Sequence, residues 1–117
     1  MLSTLRNWRA LAALSAVLAA FLGLGVVVAR AAPPAAQVSI DNFDFSPMTV
    51  SVPVGGQVTW TNGDDIPHTV RAVDGSFHSK ALDSGDAFTA TFSKPGVYAY
   101  FCSVHPKMVG KVIVRAQ

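Results

Sequence analysis

One short segment near the end of the chain concentrates residue types that bind soft metal ions. Cys102, His105 and Met108 lie within seven residues, in the order Phe-Cys-Ser-Val-His-Pro-Lys-Met. A cysteine thiolate and two imidazoles in a trigonal plane, with a weak axial methionine, form the ligand set of mononuclear copper sites that transfer electrons. The segment supplies three of these four ligands, so a second histidine must come from elsewhere in the chain.

The chain has three histidines, and His68 is the best candidate for the second imidazole. It follows a proline at the predicted start of a strand, and this proline restricts the backbone that approaches the site. His78 lies in a polar loop without a soft neighbour, and we expect it to be solvated. The predicted ligands of one copper ion are therefore His68, Cys102, His105 and Met108.

Other uses of these residues fit the sequence less well. A structural zinc site needs four Cys or His ligands, and only three remain without the methionine. A haem attachment and a copper centre bridged by two cysteines both need a second Cys, whereas the chain has one. A cysteine hydrolase needs a third group that orients its histidine base. With all four positions filled by protein no place is open for a substrate, which predicts a carrier and not an enzyme.

Short segments of alternating residues must position the ligands. Val58 and Trp60 alternate with threonines, as do Phe88, Ala90 and Phe92. A period of two in β-branched and aromatic residues is typical of half-buried strands, and turn residues separate the segments. The sequence after the leader has no helical periodicity, so it predicts an all-β fold: a small antiparallel Greek-key β-sandwich of about seven to eight strands.

The N-terminal part of the chain has the composition of an export signal. Two arginines precede an uncharged stretch, residues 10–29, and a small-x-small cleavage site follows it, so residues 1–31 are predicted to be a signal peptide. An uncleaved membrane anchor is the alternative, because 20 uncharged residues could span a bilayer. Residues 32–36 then form a predicted Pro/Ala linker, and residues 37–117 the copper-binding domain.

Charge and compartment limit the possible partners. The formal charge is +2, but three of the nine basic residues belong to the leader, which leaves six against seven aspartates in the domain. The domain has no basic stripe interleaved with aromatic residues, and this argues against nucleic-acid binding. We expect an exported monomer in the periplasm or on the extracellular face of the membrane, with contact to the membrane only if the leader is uncleaved.

Two segments resemble a known family. Residues 96–108 (Gly-Val-Tyr-Ala-Tyr-Phe-Cys-Ser-Val-His-Pro-Lys-Met) followed by Gly-Lys-Val at 110–112 resemble the C-terminal ligand loop of cupredoxins, the type 1 blue copper proteins. The Cys-x2-His-x2-Met spacing resembles that of amicyanins most, since plastocyanins usually have a longer His-to-Met spacing, and the resemblance as a whole is to the amicyanin and plastocyanin-like group. Trp-Thr-Asn at 60–62 and the later Pro-His at 67–68 match the family's first-ligand motif. The resemblance extends over residues 38–114.

The resemblance implies a cupredoxin-like fold, copper bound by the four predicted ligands, and one-electron transfer between redox proteins that act as donor and acceptor. We expect the electron to pass through His105, whose loop should reach the surface. Three apolar residues should surround it: Pro67, Val104 and Pro106. An apolar rim of this kind suits brief docking, because weak redox complexes use small interfaces.

The resemblance also implies a tie between the two ligand loops. In the family the residue after the first His hydrogen-bonds to the residue after the Cys, and these positions are Thr69 and Ser103 here. The family commonly has Asn at the first position, so Thr69 is a departure. Such ties orient ligands and tune the metal, and this departure therefore bears on the reduction potential.

A copper-binding module for delivery or storage is the alternative function. Such modules usually use exposed clusters of Met and His whose ligands exchange, whereas here a single Cys closes the set. An intense blue colour on addition of Cu(II) would favour the electron carrier, and a pale adduct would favour delivery.

Overall fold

The computed structural model describes Gly23, Gly25 and residues 32–117. The predicted signal peptide or anchor therefore lies almost wholly outside the described residues, among which no helix is long and apolar enough to cross a membrane. Residues 32–117 contain eight strands in two four-stranded sheets, which confirms the predicted all-β sandwich. The strands are β1 (Ala35–Asp41), β2 (Asp44–Ser46), β3 (Thr49–Pro53), β4 (Gln57–Asn62), β5 (Arg71–Ala72), β6 (Ala87–Thr91), β7 (Gly96–Phe101) and β8 (Val109–Arg115).

The alternation seen in the sequence produces the core between the two sheets. One sheet has the order β2-β1-β4-β6 and the other the order β3-β8-β7-β5. Val58 and Trp60 of β4 are fully buried, and Val112 and Val114 of β8 are buried in the opposite sheet. Each sheet thus has one apolar face, and the two faces can be buried only against each other. The core is therefore a single layer of side chains between the sheets.

Two strand pairs are parallel, whereas the sequence predicted an antiparallel sandwich. β1 pairs with β4 in parallel, and β3 pairs with β8 in the same way. Between β1 and β4 the chain crosses to the other sheet to form β3 and then returns, so β4 can run in the direction of β1. A period of two in the sequence carries no information about strand direction, which is why this feature was not predicted.

The first strand begins inside the predicted linker. Ala35 and Ala36 lie opposite Gln57 and Val58 in the parallel pair, and the Gln57 N–H donates to the carbonyl of Pro34 at 2.9 Å. Alanine is depleted in strands, so the Pro/Ala composition predicted a linker up to residue 36. The structure extends the domain two residues into it.

Strands β7 and β8 form the scaffold for the ligand loop. They pair antiparallel from Gly96 opposite Val114 to Phe101 opposite Val109, and residues 102–108 connect them. Next to this connection the buried ring of Tyr100 lies over Gly110 on the facing strand. A Cβ atom at position 110 would collide with that ring, so only glycine leaves room for the aromatic side chain.

Replacing this glycine should therefore destabilise the domain. We expect Gly110→Ala to lower the free energy of unfolding by about 1–3 kcal/mol, because the added methyl group overpacks the core. Denaturant unfolding of the copper-free protein measures the change. Lys111→Ala, at the exposed neighbouring position of β8, is the matched control and should change the free energy by less than about 0.5 kcal/mol. Equal effects of the two substitutions would show that the Tyr100 contact does not limit residue size.

Candidate metal centre

The connection between β7 and β8 is closed by its own backbone. Cys102 follows the last residue of β7, and its N–H donates to the Met108 carbonyl at 3.1 Å. The Met108 N–H donates to the carbonyl of His105 at 2.9 Å. Cys102 and Met108 are buried and His105 is half-buried. Two of the predicted ligands thus point into the protein, and the third lies at its edge.

His68 reaches the same place from the loop between β4 and β5. Its N–H donates to the Leu82 carbonyl at 3.1 Å, and its carbonyl accepts from the Leu82 N–H at 2.8 Å. The buried side-chain amide of Asn62, at the end of β4, donates to the carbonyls of Ile66 and Leu82 at 2.8 and 2.9 Å. His68 is fully buried. This histidine is therefore held from both sides of its loop, unlike His105.

Three of the predicted ligand atoms surround a space of the size that one metal ion needs. Cys102 Sγ lies 3.7 Å from His68 Nδ1 and 3.9 Å from His105 Nδ1, and all three atoms are within 4.8 Å of one another. Metal–nitrogen bonds of about 2.0 Å and metal–sulfur bonds of about 2.3 Å at trigonal angles require a separation of about 3.7 Å. The donor set and its spacing therefore fit a trigonal Cys and two-His site.

The other two side chains considered in the sequence have clear positions. Met108, predicted as the axial ligand, is 3% exposed and belongs to the same closed loop as Cys102 and His105. His78 is exposed, and its backbone forms an isolated antiparallel β-bridge with that of Arg71. Its exposure agrees with the solvation expected from the sequence, and among the described residues it is not part of the cluster that could hold a metal.

The cysteine of the cluster is a thiolate at neutral pH. Burial acts to raise the pKa of the Cys102 thiol, but hydrogen bonds to the sulfur, of which that from the Thr69 N–H has the largest effect, lower it to about 6, from an ordinary value of 9.0. The Thr69 N–H lies 3.3 Å from the sulfur. Because the thiolate and not the thiol binds metal, the soft ligand is already in its binding form.

The tie expected between the two ligand loops is present. The hydroxyl groups of Thr69 and Ser103 are 2.7 Å apart, and the Ser103 N–H donates to Thr69 Oγ1 at 2.7 Å. The same hydroxyl lies 3.8 Å from the Cys102 sulfur. The threonine is thus long enough to reach across, although the family commonly has Asn there.

Two residues beside the site were missed by the sequence analysis. Asp64 Oδ2 accepts a hydrogen bond from His68 Nε2 at 2.8 Å, and the ring of Phe43 stands edge-on to both histidines, with centroids 5.6 Å from His68 and 5.2 Å from His105. The aspartate lies four residues before His68 in a turn, which is a weak signal. Phe43 is 25 residues from His68 in sequence, and only the fold brings it there.

A surface pocket that is lined mainly by apolar residues lies at the half-buried His105; its other lining residues are Phe43, Val104, Pro106 and Met108, with the charged Asp44 and Lys107. The residues predicted for the apolar rim, Pro67, Val104 and Pro106, are all exposed. Of these, Val104 and Pro106 line the pocket, as does Phe43, which has 48% of its surface exposed. The metal cluster thus meets the surface through one imidazole within a mainly apolar surround.

The fold and the site together define a β-sandwich metalloprotein with one copper site of the trigonal thiolate type. Residues 11–114 match the family described as the cupredoxin-like domain. The chain is 36% identical over 111 residues to amicyanin-alpha of Methylorubrum extorquens, an alignment that covers 91% of this chain and 93% of the relative. The protein therefore belongs to the cupredoxin family.

Solved structures agree with this assignment. A purple cupredoxin from Nitrosopumilus maritimus superposes with a TM-score of 0.63 at 39% identity, over 68% of this chain and 99% of that chain. A methionine-to-alanine mutant of amicyanin in its Cu(I) form superposes with a TM-score of 0.66 at 31% identity, over 74% of this chain and 87% of that chain. Both are similar to this chain across most of the described domain.

The low pKa of Cys102 predicts how the copper-free protein responds to pH. The folded-state pKa is about 6 and the ordinary value 9.0, so the thiolate contributes stability that is fully present above pH 9.0 and is lost as the pH falls through about 6. Ultraviolet absorbance of the thiolate, followed together with denaturant unfolding, measures both effects. Cys102→Ser should lack both transitions. An absorbance midpoint near the ordinary thiol value would contradict the proposed hydrogen-bonded thiolate.

Proposed function

We propose that this cupredoxin is a type 1 copper protein that carries single electrons between redox proteins outside the cytoplasm. The observation that supports this most directly is the closed donor set, in which the Cys102 thiolate lies 3.7 and 3.9 Å from the two imidazole nitrogens. A bound copper ion would supply the redox chemistry by alternating between Cu(II) and Cu(I). The protein would supply ligands that need not move when the charge changes.

The proposed ligands are held by contacts that do not involve metal. His68, Cys102 and His105 would form the trigonal plane, and Met108 would be the weak axial ligand. The Thr69 N–H and the Cys102–Met108 backbone bond fix the sulfur, while the backbone bridge to the neighbouring loop fixes His68. A site that the polypeptide holds in one geometry suits both oxidation states, and this favours rapid electron transfer.

The proposed electron port is the exposed edge of His105. The surface beside it is mainly apolar, with Asp44 and Lys107 as its charged residues, and this suits brief docking through a small interface, as is usual for weak redox complexes. The donor and acceptor are proposed to be proteins, and the carrier a monomer. The predicted leader supports export to the periplasm or to the extracellular face of the membrane.

Copper delivery or storage is the second candidate, and the geometry favours it less. Delivery requires ligands that leave easily, whereas Cys102, His68 and Met108 are all buried. The four-ligand set likewise leaves no position for a substrate, so we propose a carrier and not an enzyme. Titration with Cu(II) tests these alternatives, because an electron carrier should turn intensely blue, lose the colour on reduction and regain it on reoxidation.

Replacing the thiolate should remove the colour but not the fold. We expect Cys102→Ser to abolish the intense visible absorption of the Cu(II) protein, since the thiolate is the source of the charge-transfer band. Circular dichroism should still show the β-sandwich, because strand alternation specifies it without the cysteine. Retention of strong absorption in this variant would show that another residue binds the copper.

Replacing the axial thioether should change the redox equilibrium. We expect Met108→Gln to keep copper but to lower the reduction potential, because a thioether favours Cu(I) and an oxygen donor favours Cu(II). A redox titration measures the potential. Met48→Gln, at a position 57% exposed, is the matched control and should leave it unchanged. If the two variants had the same potential, Met108 would not be the axial ligand.

A further inference from the structure

The carboxylate of Asp64 joins two parts of the chain that are far apart in sequence. Its Oδ1 accepts the N–H of Asn42 at 2.6 Å, and its Oδ2 accepts the N–H of Phe43 at 3.0 Å. The same Oδ2 accepts from His68 Nε2 at 2.8 Å. One side chain, itself only 12% exposed, thus contacts both the turn between β1 and β2 and a predicted copper ligand.

On the ligand side, this contact selects the form of the imidazole that can bind metal. A neutral imidazole carries its proton on one nitrogen only. The carboxylate of Asp64 can only accept a hydrogen bond, so the proton resides on Nε2 and the lone pair on Nδ1. Nδ1 is the atom that faces the Cys102 sulfur, at 3.7 Å. His68 therefore has the metal-binding tautomer before any metal arrives.

On the turn side, the contact holds an unusual conformation. Asn42 and Phe43 have φ angles of 49° and 62°, as both central residues of a type I′ hairpin turn must. Glycine is favoured at the second of these positions, and a bulky residue with positive φ is strained. The backbone N–H groups of both residues with positive φ donate hydrogen bonds to the Asp64 carboxylate. These hydrogen bonds offset the cost of keeping a phenylalanine in this turn.

The conformation of the turn places the Phe43 ring against the site. The ring is perpendicular to both imidazoles, with interplanar angles of 86° for His68 and 87° for His105. Because about half of its surface is exposed, it stands between the two histidines and solvent. A relaxed turn would move the ring away and admit water to the edge of His105.

We propose that Asp64 is a positioning residue that sets the tautomer of His68 and, through the β1–β2 turn, holds Phe43 over both histidines. This role rests on the proposed function, since it concerns the same copper site. In an electron carrier, one carboxylate would then keep the buried ligand His68 in its metal-binding tautomer and keep the surface ligand His105 covered by the Phe43 ring. The two effects are linked because they share one pair of oxygen atoms.

Substitution of Asp64 tests both halves in the copper-free protein. We expect Asp64→Ala to lose the Nε2–H preference of His68 in nitrogen-15 NMR spectra, and to lose the nuclear Overhauser contacts between the Phe43 ring and His105. Cu(II) affinity should fall about 10–100-fold, as is typical when the partner of a metal-binding histidine is removed. Asp65→Ala, the exposed neighbour with the same charge, is the matched control and should change none of the three.

Asp64→Asn keeps the proposal testable if the alanine variant does not fold. An amide has one acceptor oxygen where the carboxylate has two. This variant therefore loses the Asn42 contact if its oxygen takes the place of Oδ2, and loses the Phe43 and His68 contacts if its oxygen takes the place of Oδ1. Wild-type tautomer, wild-type Phe43 contacts and unchanged hydrogen exchange of the Asn42 amide, found together in Asp64→Asn, would overturn the proposal, as would equal effects of the Asp64 and Asp65 substitutions. Both spectroscopic readouts need no copper. They therefore stay decisive even if the wild-type protein fails to turn blue with Cu(II), a result that would count only against the proposed function.

Discussion

The site depends on the hydrogen bond from the Thr69 backbone N–H to the sulfur of Cys102. This contact joins the loop that carries His68 to the loop that carries the other three predicted ligands, and it is the largest single interaction that lowers the pKa of the thiol. The hydroxyl groups of Thr69 and Ser103 reinforce it at 2.7 Å. The contacts of Thr69 with Cys102 and Ser103 thus link the two loops directly beside the sulfur.

The domain accepts several buried polar groups in order to build this centre. Asn62, His68 and Cys102 are all fully buried, and a buried polar group is costly unless it is hydrogen-bonded. Each is bonded to backbone or side-chain atoms of the neighbouring loops. A small domain of this kind has a modest core and a single cysteine, so no disulfide stabilises it. A metal ion that binds the folded state and not the unfolded state would add to the free energy of unfolding.

The two histidines divide the site into a rigid side and a surface side. His68 is bridged to Leu82 and bonded to Asp64, whereas His105 lies half-buried at a mainly apolar surface pocket that Phe43 also lines. The side with His68 would preserve the ligand geometry when the charge of the copper ion changes. The side with His105 would bring the copper site within reach of a redox partner protein. The Asp64 carboxylate connects the two sides, because its contacts determine both the state of His68 and the place of the phenyl ring.

The sequence alone determined the predicted ligands and the class of fold. The chemistry of Cys102, His105 and Met108 depends on residue type and on spacing within one loop, and strand alternation depends only on local pattern, so both can be recognised without coordinates. Tertiary structure alone decided the parallel strand pairs, the low pKa of the thiol, and the contacts of Asp64 and Phe43. Each of these arises from contacts between residues that are distant in sequence and form only when the two sheets pack. A local sequence pattern does not specify such contacts.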